Sequence, residues 1–282
     1  MIEVQHPGIY SSVQDLGRFG NRRFGVPLSG VMDKEMAIAA NLILGNPGST
    51  AVLEFASPGP RLFFSKPAII AVAGAATTVR VNGEEVNTES PILVETNSLI
   101  SFGRATAGVW SYLSVKGGIL SPEVLGSRSF FPGVTKSGRI EAGDILEVAT
   151  LSELSTQEVA WGDKLPQIEI YAEVQVYPGP EFSMLSEIQK LAILESEYEV
   201  SPQSNRMATL VHTSRIVKVP EITTGPVQPG TVQVTPSGKM VVLMRDAQTT
   251  GGYSRVLQLS DIGFSQITRI SPGKKFRFGL LQ

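Results

Sequence analysis

The chain has 282 residues, with 24 Lys+Arg against 26 Asp+Glu and a formal net charge of −2. That balance argues against nucleic acid and against a polybasic membrane contact, both of which need a basic face, while 42% apolar and 18% charged residues predict a packed core. Cysteine is absent and His6 and His212 are the only two histidines, so disulfides, thiolate chemistry and three-histidine metal sites are all ruled out.

In chain order, Ile2–Tyr10 reads as a strand followed by Pro-Gly and a polar loop. Asp33 is placed to cap a helix whose Met36, Ala39, Ala40, Ile43 and Leu44 share one face, and Gly45-Asn46-Pro47 ends it. Strands follow at Ala68–Ala73, Ile92–Val94, Leu99–Phe102, Trp110–Val115 and Asp144–Val148, with Thr78–Val86 a hairpin turning at Asn82-Gly83. A polar stretch at Ser152–Pro166 marks a boundary, which gives units of residues 1–160 and 161–282. Beyond it, strands are predicted at Ile168–Val176, Thr231–Thr235, Lys239–Met244, Arg255–Leu259 and Lys275–Phe278. A helix is predicted over Ser183–Leu194 with Leu185, Ile188, Leu191 and Ala192 on one face. The class is mainly β with a few short helices. The N-terminus lacks a basic segment leading into an apolar run, and no apolar stretch reaches the roughly 18 residues of a membrane span, so a cytoplasmic protein is expected.

The sequence lacks a Walker-type phosphate loop, a Rossmann glycine fingerprint, H-E-x-x-H, G-x-S-x-G and a biotin-attachment sequence. What it has are polar clusters braced by glycine. Gln14, Asp15 and Arg18 precede Gly25-Val26-Pro27-Leu28-Ser29-Gly30-Val31-Met32-Asp33. A guanidinium there is suited to a carboxylate or phosphate, and a neighbouring Asp to orienting it or to acid–base work. The competing reading is a braced loop with Asp33 as a helix cap, and it is slightly the stronger of the two. Gly117-Gly118 and Leu125-Gly126-Ser127-Arg128-Ser129 fit equally an anion cradle or a strand-ending turn. Asp246-Ala247-Gln248-Thr249-Thr250-Gly251-Gly252-Tyr253 follows an apolar strand and carries more polar groups than a turn needs. Ser204-Asn205-Arg206 is a shorter polar step.

Taken in order, the Gln-Asp-Leu-Gly-Arg, Gly-Val-Pro-x-Ser-Gly-x-Met-Asp and Leu-Gly-Ser-Arg-Ser segments resemble the KipA family. Gln233-Val234-Thr235-Pro236-x-Gly238 and the segment from Asp246 to Tyr253 share that likeness. The family is also called allophanate hydrolase subunit 2-like or biotin-dependent carboxyltransferase-like. The resemblance implies two cyclophilin-like β-barrel units and a partner role beside an A and a KipI-like B subunit. It implies ATP-dependent opening of 5-oxoproline to glutamate, with Mg²⁺ accompanying the nucleotide. The alternatives are a carboxyltransferase component acting on urea or allophanate, and a regulatory protein that binds a KipI-like kinase inhibitor. Under the first reading Asp15, Arg18 and Asp246 are the catalytic candidates. Gln14, Asp33, Arg128, Arg206, Gln248, Thr250, Gly251, Gly252 and Tyr253 are the substrate-binding ones, and no metal ligand is assigned. Ser204–Thr213 departs from the family pattern, with Asn205 where an Asp is common, and so does Phe130-Phe131.

Overall fold

A computed structural model describes residues 1–149, 165 and 169–281. The boundary expected at Ser152–Pro166 therefore lies, Leu165 apart, outside the described residues. Contacts gather the chain into two units: unit 1 holds Met1–Arg18 and Ser29–Ile168, and unit 2 holds Phe19–Leu28 and Glu169–Gln282. The short segment Phe19–Leu28 thus packs with the C-terminal part of the sequence, an exchange that no compositional boundary reveals.

Unit 1 contains β1 (Ile2–His6), β2 (Tyr10–Gln14), α1 (Lys34–Leu42), β3 (Val52–Ala56), β4 (Arg61–Phe64), β5 (Ala68–Ala76) and β6 (Val79–Val81). It continues with β7 (Glu84–Glu85), β8 (Ile92–Val94), β9 (Ser98–Phe102), β10 (Ala107–Val115) and β11 (Ile145–Leu146). One sheet has the order β11-β1-β4-β9-β6-β7 and the other β2-β3-β10-β5-β8. Alternation along β3 sorts its neighbours: Leu53 and Phe55 point into the core shared by both sheets, whereas Val52 faces the cluster built by Met36, Ala37 and Ala40 of α1. Asn82 and Gly83 take the positive φ angles, 53° and 91°, that the two-residue hairpin turn demands. Asp33 caps α1 as expected, its carboxylate accepting from the Glu35 and Met36 amides at 3.1 and 3.4 Å.

Unit 2 contains β12 (Glu173–Pro178), α2 (Glu187–Leu194), β13 (Tyr198–Val200), β14 (Ala208–His212), β15 (Gly225–Pro226) and β16 (Thr231–Val234). Then come β17 (Met240–Leu243), β18 (Thr250–Gly251), β19 (Ser254–Leu259), α3 (Asp261–Arg269) and β20 (Lys275–Leu280). Seven strands close into a barrel in the order β12-β19-β16-β17-β14-β13-β20, and β15 pairs β18 outside it. The barrel wall is antiparallel except where β12 runs parallel to β20. Alternate residues Val174, Val176, Val232, Val234, Phe276 and Phe278 are buried. The mainly-β class is thus present in both units.

One face differs from expectation. The segment Ser183–Leu194 begins as a 3₁₀ turn at Phe182–Met184, and α2 starts only at Glu187. Ile193 is buried, while Ile188 and Leu191 are 81% and 53% exposed. The cause is the capping box of Ser186 and Gln189, which fixes where the helix begins. A hydrogen bond from Gln189 Nε2 to the Lys218 carbonyl then holds that phase. The helix α3, capped by Ser260, was not expected; it buries Phe264 and Ile267.

Candidate functional site

In unit 1 the loop after β2 meets the loop at Ser127–Ser129. The Asp15 carboxylate accepts from the Ser127 and Ser129 hydroxyls, each at 2.7 Å, from the Gly17 amide at 2.8 Å and from the Arg128 amide at 2.6 Å. Three of these donors reach Oδ1 and one reaches Oδ2. Gln14 is fully buried; its Nε2 donates to Ser12 Oγ and the Phe130 carbonyl, and its Oε1 accepts from the Gly30 amide. Arg18, also fully buried, donates from Nη1 to Ser29 Oγ at 2.9 Å and from Nη2 to the Ser129 carbonyl. The Arg128 guanidinium donates to the Ser121 carbonyl. The sequence clusters at Gln14–Arg18 and Ser127–Ser129 therefore do converge, and they converge as a knot of mutually bonded groups. This is the bracing arrangement.

Two neighbouring features complete unit 1. Glu54 stands opposite both Ser12 and Tyr112 in the sheet and accepts from the Met32 amide at 2.6 Å. The Tyr112 hydroxyl accepts from the Asp33 amide at 2.7 Å. Burial, together with the charges of Glu54 and Asp33, holds the Tyr112 phenol well above its ordinary range, so it stays protonated. The Gly117-Gly118 anion cradle is not formed: Gly117 N–H donates to Asn46 Oδ1 at 2.9 Å and Gly118 N–H to the Val115 carbonyl at 2.8 Å. Both donors close the turn, leaving neither for a ligand.

In unit 2, Arg206 and Asp246 form a bidentate pair, Nε to Oδ2 at 2.7 Å and Nη2 to Oδ1 at 3.0 Å, with both side chains buried. The Asp246 amide also donates to the Arg206 carbonyl. Asn205 Oδ1 accepts from the Met207 and Ala208 amides, which makes this departure from the family pattern a turn-forming side chain. Gln248, Thr250, Gly252 and Tyr253 are exposed. Gly251, half-buried, pairs with Gly225, and Gln233 Nε2 holds the Tyr253 carbonyl at 3.0 Å.

The β15–β18 ribbon forms one wall of a cleft of about 1090 Å³ in unit 2. Thr249, Thr250 and Pro226 line it from the ribbon side, Tyr177, Gly179 and the prolines 178 and 180 supply further apolar lining, and Arg22, Arg23 and Arg255 bring positive charge. Arg255 is already neutralised. Its Nε and Nη2 donate to Glu181 at 3.0 and 2.6 Å, and these bonds lower the Glu181 carboxyl below its ordinary value. Arg22 donates to the Val227 carbonyl, and burial lowers its pKa. Arg23 lies 4.7 Å from the centre of the Phe24 ring. Among the described residues neither Arg22 nor Arg23 has a carboxylate partner, so the cleft carries two uncompensated cations. Among the described residues no three His, Asp or Glu gather to hold a metal.

Of the candidate site residues, Thr250 lines this cleft, as do Gly25 and Thr249 of the polar-glycine clusters; the lining Arg22, Arg23 and Arg255, and Glu181 that holds Arg255, lie outside the sequence clusters. The signal for Arg22 and Arg23 was a pair of arginines held between Gly20 and Gly25, both at positive φ. Glu181 and Arg255 are 74 residues apart, and nothing local joins them.

A closed β-barrel carrying a cationic, partly aromatic cleft defines this as a mainly-β protein. Residues 24–280 match the family described as carboxyltransferase domain, subdomain A and B, and the chain belongs to that family. It is 29% identical to the C subunit of 5-oxoprolinase from Haemophilus influenzae and 28% identical to that from Escherichia coli. Each alignment covers 99% of this chain and 90% of the relative. The K. lactis urea amidolyase superposes on all of this chain with a TM-score of 0.89 at 26% identity, but the match spans only 19% of that protein. Another solved relative, at a TM-score of 0.86, is covered over 55% of its length. No helix is long and apolar enough to cross a membrane among the described residues.

Proposed function

We propose that this chain is the C-type subunit of an ATP-dependent 5-oxoprolinase, acting with A and KipI-like B subunits. The observation that carries the reading is collinearity with two proteins named as the C subunit of 5-oxoprolinase, across 99% of this chain and 90% of theirs. A lactam resists water because resonance stabilises its carbonyl. Transfer of the terminal phosphoryl group of ATP to the lactam oxygen makes that carbon electrophilic. ADP is released, a first water adds, and the C–N bond breaks to free the amine and leave an acyl phosphate. A second water hydrolyses that acyl phosphate to glutamate and phosphate. Negative charge develops on the transferring group and the carbonyl oxygen, and cations stabilise it. Arg22 and Arg23, with the hydroxyls of Thr249 and Thr250, are the groups of this chain suited to that task. The catalytic and binding roles that the family resemblance suggests for Asp15, Arg18 and Arg128 sit less well with side chains that already bond within unit 1.

A carboxyltransferase component acting on urea is the second reading, favoured by the TM-score of 0.89 against urea amidolyase. The deciding test is reconstitution with the products of neighbouring genes, following glutamate release from 5-oxoproline with ATP and omitting each component in turn. The expected outcome is loss of turnover when this chain is left out. Undiminished turnover without it would remove the proposal.

A further inference from the structure

The cleft of unit 2 is open to solvent and offers about 1090 Å³, more than a small lactam needs, since roughly 300–1,000 Å³ already accommodates drug-sized ligands. Its lining also combines two chemistries, cationic–hydroxylic and apolar. Arg22 and Arg23, cations without a carboxylate partner among the described residues, line it together with the hydroxyl-bearing Thr249 and Thr250. Tyr177, 48% exposed, and the rings of Pro178 and Pro180 supply its apolar lining, joined by Pro226, which pairs with Thr250 in the ribbon. Much of the remaining polar lining is satisfied within the chain: Thr231 Oγ1 donates to Gln258 Oε1, and Gln258 Nε2 donates to the Pro229 carbonyl. The third arginine, Arg255, is held by Glu181 and by the Pro226 carbonyl, so it shapes the wall without adding net charge.

A guanidinium pair matches the tetrahedral oxygens and the charge of about −2 of a phosphomonoester. An exposed tyrosine ring among prolines matches a flat heterocycle that leaves water to stack on it. We propose that this cleft is a binding site for a nucleoside phosphate, with the phosphate at Arg22, Arg23, Thr249 and Thr250 and the base against Tyr177 and its flanking prolines. The proposal deepens the reading above by placing a nucleotide on this chain, yet it is tested without it, because binding is measured on this chain alone.

Titration calorimetry with the full chain would use AMP, adenosine, inorganic phosphate and 5-oxoproline as separate probes at low and high salt. AMP is expected to bind at least tenfold more tightly than adenosine or phosphate, since both kinds of lining contribute, and to weaken as salt rises. Arg23→Ala, at an exposed position, should keep its melting temperature and lower AMP affinity about tenfold or more. Tyr177→Ala should lower AMP affinity while leaving phosphate binding unchanged. Arg22→Lys serves as the second cation variant, because it retains a donor for the Val227 carbonyl. The proposal is overturned by AMP binding no tighter than phosphate, by 5-oxoproline binding in preference to AMP, or by unchanged AMP affinity in Arg23→Ala. Any of these outcomes, seen while the reconstituted complex still requires this chain for lactam opening, removes the nucleotide site and leaves the proposed function standing.

Discussion

Asp15, a catalytic candidate in the sequence, is bonded on four sides within unit 1. Its carboxylate joins two loops more than a hundred residues apart, and replacing it by alanine strands two hydroxyls and two amides. Asp15→Ala should therefore destabilise unit 1 by about 3 kcal/mol, read as a lower denaturant midpoint. The Arg206–Asp246 pair makes a sharper test. Removing either partner leaves a buried charge and should cost about 3–5 kcal/mol, whereas Arg206→Met with Asp246→Leu should come close to neutral in a double-mutant cycle. Glu181 gives a pH signature. Its folded pKa lies below the ordinary 4.5, so the stability it adds is present above that value and is lost as the pH falls through the lowered one. Glu181→Gln should flatten the acid side of the stability profile below about pH 4.5 and leave the neutral-to-basic side, where Arg255 stays charged, with its shape unchanged.

At the scale of elements, the structure divides what periodicity can read from what it cannot. The strands at Ile92–Val94 and Arg255–Leu259 and the hairpin at Asn82-Gly83 were legible because alternation and turn chemistry are local. The helix α1 was legible through Asp33 and Gly45 at its ends. The inward face of α2 was not, because a capping box and a bond to Lys218, distant in sequence, set its phase. Ile188→Glu should accordingly leave stability within about 0.5 kcal/mol of the parent, as judged by thermal melting. Gly30 marks the opposite extreme: at φ 87°, an added Cβ would come within 2.8 Å of the Gly17 nitrogen and the Leu16 carbonyl carbon. Gly30→Ala should cost about 1–3 kcal/mol and loosen the loop that carries Asp15.

At the scale of the whole molecule, the family was legible from dispersed motifs, whereas the cleft was not. Its arginines come from Phe19–Leu28, a segment early in the sequence that packs with unit 2, and its apolar wall comes from residues some 150 positions later. Motif reading attends to polar residues beside glycines, and so it found the braced knot of unit 1 before the open cleft of unit 2. Membership of the carboxyltransferase family leaves two chemistries to be separated, lactam opening and carboxyl transfer, and one measurement does so. ATP consumption by the reconstituted complex should be stimulated by 5-oxoproline, depend on this chain, and be indifferent to bicarbonate and to avidin. Stimulation by urea that requires bicarbonate and is abolished by avidin, with no response to 5-oxoproline, would contradict the account.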